Sequence, residues 1–359
     1  MNLRCSSRSL RWWLTASVGV AIVLAACGGG GGGASSGPSG KPAALDVTSV
    51  KLPAEDGAVK FQPAAAGSGA GLKLGYISLG DQVPFVHLVS ESIKQQADKS
   101  GAQLVFCDSR EQTPVTLDCV RSLKTQGVQA YLNFQSDAGS SAAICAAGPQ
   151  VPVIAIDIHQ KPCETAFMGA NNHYSGYIGG LALGEYFKRN FSCKYEAFVS
   201  MEDFAVGEVN DQRMGGFRDG FSHVCGSINN LRKENTGRID KARTVFTDVL
   251  TSLPGQHHVI VVGINDDSVE GALAAAKTAG RQNDLYVAGT GADPSSWCEM
   301  KTNPQWIADS LYYPERYGEI GVPYLIKAAK GESVPSNLLV PHGLINSTNL
   351  EKFYHPTNC

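Results

Sequence analysis

The stretch Val151-Pro-Val-Ile-Ala-Ile-Asp157, continued by IHQKPCETAFMGANNHYSGYIGGLALGEYF to Phe187, decides how this chain is read. The short apolar run from Val151 to Ile156 marks a strand buried on both faces, as in a parallel sheet. The run ends on a carboxylate, Asp157, at the edge where open α/β sheets hold ligands. After a short loop Asn171-Asn172 offers a cap pair for a helix that carries Tyr174, Ile178 and Leu181 on one face. The passage reads as one wall of a cleft followed by a crossing into a second lobe.

Outward from it, strand and helix alternate. Upstream the pattern predicts strand 72–79, helix 84–99 closed by Gly101, strand 103–107, helix 114–125 closed by Gly127, strand 130–134, helix 139–147 and strand 151–157. Downstream it predicts strand 196–201, helix 209–223, strand 228–233, helix 239–252, strand 258–264, helix 267–279 and strand 285–288. Parallel neighbours need right-handed crossovers, which place helices on both faces. The expected architecture is therefore α/β, two doubly wound parallel-sheet lobes joined by a hinge. The chain would recross near 312–314 and again near 339–342, with a late helix at 314–329 and a final strand at 344–345. That puts residues 72–171 and about 313–340 in the N-terminal lobe, and residues 172–312 and about 341–359 in the C-terminal lobe.

The first 26 residues read as an export signal. Arg4, Arg8 and Arg11 precede an apolar run over 12–24 that is short for a membrane span. The run meets Leu24-Ala-Ala-Cys27, which resembles the lipobox of bacterial lipoproteins and implies cleavage before Cys27 and lipidation of its thiol. Loss of the signal leaves 27 basic against 33 acidic residues, a net charge of −6, so adhesion to anionic lipid through charge is disfavoured. No basic patch points to nucleic acid. Residues 27–71, with a six-glycine run and Ser/Gly/Pro/Ala-rich sequence, read as a lipid-anchored flexible linker with a reach on the order of 35 to 40 Å. The short alternation over 47–52 is the one part of it with apolar groups to dock.

Eight cysteines remain beyond Cys5 and Cys27, an even count that in an exported chain reads as disulfides. Eight cysteines allow about 105 pairings, and among them chain order suggests the local set Cys107 with Cys119, Cys145 with Cys163, Cys193 with Cys225 and Cys298 with Cys359. No C-x-x-C pair occurs and the histidines do not cluster with the cysteines, so no metal is expected. Gly67-Ser-Gly-Ala-Gly71 precedes a strand instead of following one, and Gly289-Thr-Gly291 lacks a third glycine, so no dinucleotide cofactor is expected either. With no P-loop or H-E-x-x-H motif, the chain does not read as an enzyme.

Strand ends and helix starts facing the predicted cleft supply Phe85, Asp157, Asn172, Arg213, Asn265 and Tyr312, with His87 as a polar wall. A flat aromatic covers the C–H face of a sugar ring, while carboxylate, amide and guanidinium groups pair with adjacent hydroxyls. Phe85 also fits the core stripe of its helix, and Asn172 and Asn265 also fit helix caps.

From residue 72 to about 353 the chain resembles the type I periplasmic sugar-binding proteins, the ribose-binding group of solute receptors for ABC importers. The likeness is carried by Val83-Pro-Phe-Val-His87, Ile154-Ala-Ile-Asp157, Gly169-Ala-Asn-Asn172, Arg213-Met-Gly-Gly-Phe217, Ile264-Asn-Asp266, Tyr313-Pro-Glu-Arg-Tyr-Gly318 and Leu344-Ile-Asn-Ser-Thr-Asn349. It implies that Phe85 stacks on a ligand, that Asp157 and Arg213 bind hydroxyls, that Asn265 adds a hydrogen bond and that Asn172 lies at the first lobe crossing. Ile158 stands where the group usually has arginine, Val86 where it has a second aromatic, Gly291 where it has aspartate and Tyr312 where glutamine is common. D-ribose is thus not the expected ligand; a different sugar, a deoxysugar or polyol, or a less polar small molecule is. The expected partners are that ligand and an ABC permease or, alternatively, a membrane sensor. The chain would work as a monomer held outside the cytoplasm by its lipid.

Overall fold

The computed structural model describes residues 42–357 and 359. The first sheet begins with β1 (Lys73–Ser78), α1 (Pro84–Ser100), β2 (Gln103–Asp108), α2 (Thr113–Gln126) and β3 (Ala130–Phe134). It continues through α3 (Ser141–Ala147), β4 (Val153–Ile156) and β5 (Ala166–Ala170). Proline stands in the first turn of α1 and of α2, where its missing N–H costs nothing. Gly101 and Gly127 end those helices in the left-handed conformation that a side chain resists.

The chain then builds α4 (Asn172–Phe191), β6 (Ala197–Glu202), α5 (Glu208–Cys225), β7 (Leu231–Asn235), α6 (Ile239–Ser252) and β8 (Val259–Gly263). The same lobe is completed by α7 (Asp266–Thr278), β9 (Leu285–Gly291), α8 (Trp297–Thr302) and β10 (Trp306–Leu311). A return to the first lobe adds α9 (Gly318–Ala329) and β11 (Asn337–Val340), and β12 (Gly343–Ile345) lies back in the second. The sheet orders are β11-β5-β4-β3-β1-β2 and β12-β10-β9-β8-β6-β7. Every pairing is parallel except β10 with β12. Three chain crossings, near 171, 312–317 and 341–342, therefore join two sheets of matching order.

Three strands escape the sequence reading: β5, β10 and β11. β10 buries Asp309 and Ser310 among apolar neighbours, which breaks its hydrophobic run, and β5 (Ala-Phe-Met-Gly-Ala) is short and poor in β-branched residues. The four cysteine pairs form as chain order predicts, each within a single lobe.

The expected flexible linker is corrected from Pro42 onward. Leu45, Val47 and Val50 are buried in the apolar core beneath α4 and α5, and Ala64 is buried against the first lobe. Burial of these anchors gives the segment the apolar contact that its Ala/Gly/Pro-rich composition does not advertise. Cys27 and the export signal lie outside the described residues.

Helices α4 and α5 pack closely enough that a Cβ at Gly176 or Gly180 would overlap the facing backbone at Arg213 or Phe217. This approach seats Arg213 beside the start of α4.

Candidate functional site

Between the two sheets, at the C-terminal ends of their strands, lies a cavity of about 150 Å³. Its first-lobe wall includes Leu79, Phe85, Phe134, Gln135 and Asp157; its second-lobe wall includes Val206, Arg213, Asp266, Thr290, Asp293 and Tyr312.

Asp157 follows β4 directly and has φ 56°, a left-handed turn that swings its carboxylate off the strand line into the cavity. The Tyr317 hydroxyl donates to it at 3.3 Å. Desolvation lifts its pKa to about 6, against the opposing pull of the Arg213 charge and the Tyr317 hydrogen bond.

Arg213 is buried and held on three sides. Its Nε and Nη2 donate to Asn172 Oδ1 at 3.0 and 2.7 Å, and its Nη1 donates to the Ile264 carbonyl at 2.7 Å. The guanidinium carbon lies 5.3 Å from the centroid of the Tyr312 ring. Tyr312 bonds Ser175 through its hydroxyl at 2.8 Å and meets Phe85 edge-on at 6.3 Å, so ring and guanidinium are fixed before any ligand arrives.

The structure brings Phe85, Asp157, Arg213, Asn265 and Tyr312 to one cavity. Two expected wall residues do not stand there. Asn172 is buried behind Arg213 and serves as its acceptor, so it positions a wall residue and does not line the wall. His87 points to solvent, 53% exposed and 3.6 Å from Asp81, because two helical positions after Phe85 the side chain has turned to the other face of α1. Asn265 lines the cavity, but its Oδ1 accepts from Ser268 N and Oγ at 3.0 and 2.9 Å and its Nδ2 donates to the Gly237 carbonyl at 2.8 Å. Most of its bonding capacity is spent on capping α7.

Several wall groups were not read from the sequence. The first is Asp293: its Oδ2 accepts the Phe85 N–H from the other lobe at 3.0 Å, while its Oδ1 accepts from Ser295 N at 2.8 Å. Gly291 stands where an aspartate was expected; an acid occurs two residues later instead, after the left-handed Ala292. The second is Asp266, whose Oδ2 accepts from Asp293 N at 2.6 Å and whose Oδ1 shares the space over Gly289 with Asp309 Oδ2. Burial raises both carboxyls of the Asp266–Asp309 pair: Asp266 is pushed up further by the Asp309 charge, while Asp309 reaches about 7 against the opposing hydrogen bond from Asp266, so a proton is retained between them. Asp266 precedes a helix directly and is indistinguishable from a cap in sequence. The third is Arg238, which bridges Glu111 of the first lobe and Asp267 of its own.

Aspartates 157, 203, 266, 267 and 293 thus face the cavity with arginines 213 and 238, and both arginines are already committed to protein acceptors. Such a wall pairs with hydroxyls and is hostile to anions. Among the described residues, no group of three or more His, Cys, Asp or Glu is placed to hold a metal, and no helix is long and apolar enough to cross a membrane.

Two matching α/β lobes, three crossings and a polar and aromatic cavity at their junction define a two-lobed ligand-binding protein. The family model described as "Periplasmic binding protein domain" matches residues 75–333, and the chain belongs to that family. The chain is similar to the ribose import binding protein RbsB of Escherichia coli (strain K12), at 26% identity over 265 residues, covering 73% of this chain and 86% of that protein. The counterpart from Haemophilus influenzae is 23% identical over 261 residues, covering 72% and 85%. Among solved structures, an ABC transporter solute-binding protein from Mycobacterium smegmatis with bound glycerol superposes with TM-score 0.66 at 25% identity, covering 79% of this chain and 96% of that one. One from Bacillus halodurans C-125 with bound myo-inositol gives TM-score 0.65 at 20% identity, covering 80% and 99%; that likeness shows the fold. These relatives are solute-binding proteins, not enzymes.

Proposed function

We propose that this chain is an extracytoplasmic solute-binding lipoprotein that closes its two lobes on a small neutral ligand, a sugar or polyol other than D-ribose, and delivers it to an ABC importer. The single observation that carries the reading is the convergence of Phe85, Asp157, Arg213 and Tyr312 on one crevice between the lobes. A ring edge or face for C–H groups, one carboxylate and one guanidinium are what a polyhydroxylated guest of a few carbons needs. The surplus of wall aspartates, with both arginines already engaged, disfavours sugar acids and phosphates. Import is supported by the relatives named as a ribose import binding protein and as ABC transporter solute-binding proteins. The ligand differs from ribose because Ile158, Val86 and Gly291 replace groups expected of a ribose site. The anchor reading rests on Leu24-Ala-Ala-Cys27.

Closure is a population shift set by the ligand's preference for the shut form. Mass spectrometry of small molecules released from gently purified protein, followed by a thermal-shift panel of sugars, polyols and D-gluconate, tests the proposal. A neutral polyhydroxylated compound is expected to co-purify and to raise Tm. Stabilisation by D-gluconate alone would overturn the ligand class.

A further inference from the structure

Residues 42–64 lie outside the stretch matched by the family model, which starts at 75, yet they run across both lobes. At one end Leu45, Val47 and Val50 are buried in the second lobe, and Asn346 Nδ2 donates to the Leu45 carbonyl at 2.7 Å. At the other end Val59 N donates to the Leu339 carbonyl on β11 at 2.8 Å, and Ala64 N donates to Gln96 Oε1 of α1 at 2.8 Å, both in the first lobe.

Between these docks the segment touches all three crossings. The Pro53 carbonyl accepts from the Tyr174 hydroxyl at 2.9 Å, just past the first crossing. Phe61 packs edge-on against Tyr313 at 5.5 Å and lies 4.1 Å from the Arg316 guanidinium, at the second. The Glu55 carboxylate accepts from His342 N at 2.9 Å and bonds His342 Nδ1 at 2.5 Å, at the third. The His342 side chain is buried and meets Tyr312 edge-on at 5.0 Å, and Tyr312 lines the ligand cavity.

We infer that residues 42–64 form a hinge clasp, a strap added to the family body that holds the lobes in the shut arrangement and so sets the open-to-closed ratio from outside the ligand site. Lobe opening changes backbone torsions at the crossings. A strap anchored in both lobes and in contact with each crossing resists that change, and its contacts are satisfied in the arrangement in which Phe85 reaches Asp293. Glu55 is the central fastener, because its charge-assisted bonds fall on the crossing residue that touches the cavity tyrosine.

The test uses the full mature chain without ligand, so its outcome does not depend on the identity of the solute. Spin labels at exposed positions 124 on α2 and 241 on α6 report the distance between lobes. Two variants loosen the clasp without touching the cavity wall: Glu55→Gln, and an insertion of about eight Gly/Ser residues between Asp56 and Gly57 that keeps both docks but uncouples them. Each is expected to raise the open-to-closed ratio about tenfold, the scale of losing one charge-assisted bond or its mechanical coupling. Unchanged distance distributions in both folded variants would overturn the clasp; if the insertion chain fails to fold, Glu55→Gln decides alone.

Discussion

The carboxylate of Asp293, in the second lobe, accepts the backbone N–H of Phe85, in the first, at 3.0 Å. The bond crosses the cleft, and its donor is the helix-start amide of the residue that also presents its ring to the cavity. In this arrangement the second lobe therefore satisfies an otherwise orphan N–H of α1 at the residue whose ring lines the cavity. The Glu111–Arg238 ion pair spans the cleft at a second point.

Asp293→Ala removes that acceptor and should weaken binding of whichever panel compound stabilises the protein by about tenfold, the scale of one hydrogen bond to a charged group. Isothermal titration checks this. Glu111→Gln, at the exposed second contact, should cost less than about threefold.

Asn172→Ala leaves the buried Arg213 guanidinium without the acceptor of two of its bonds. Unfolding free energy is expected to fall by about 2–3 kcal/mol, and ligand affinity to fall with it although residue 172 does not line the cavity. Urea melts with and without ligand separate the two effects.

His87→Ala should leave affinity within about twofold and stability within about 0.5 kcal/mol of the parent, since the imidazole lies on the solvent face of α1. A larger loss of binding would return His87 to the wall.

Stability should depend on pH through the buried carboxyls. Asp309 stands at about 7 and Asp157 at about 6, both above the ordinary value of 3.8. Above pH of about 4 the folded chain thus holds more protons than the unfolded one, so unfolding free energy falls as pH rises through 7. Asp309→Asn keeps Oδ1 as an acceptor for Ala292 N and supplies a donor toward Asp266 in place of Oδ2, giving up the bond that Oδ2 accepts from Trp306 Nε1 at 3.2 Å. It should raise Tm by several degrees at pH 8 and change it little at pH 5. Calorimetry at the two pH values checks the sign.

The alternation of strands and helices was legible because apolar runs and closing glycines repeat at regular intervals, and the wall residues at strand ends were legible from position alone. Asp157 could be placed because a carboxylate directly after an apolar run has one sensible destination. Asp266 could not, because a helix cap and a wall group look alike before the sheets are set side by side. Asp293 was hidden by a two-residue displacement around the left-handed Ala292. Asn172 and Asn265 were named as contacts by residue type, whereas their side chains are occupied by Arg213 and by Ser268 and Gly237. The clasp stayed invisible because Leu45, Val47 and Val50 are too sparse to signal order until the surface they cover is known.

Each sulfur–sulfur bridge starts and finishes inside the same half of the molecule. Among the described residues, oxidation therefore tightens the interior of each half and places no disulfide across the joint between them. A compartment that drives thiols to cystine thus stiffens the two shells and leaves the seam between them to the polypeptide crossings and to non-covalent contacts.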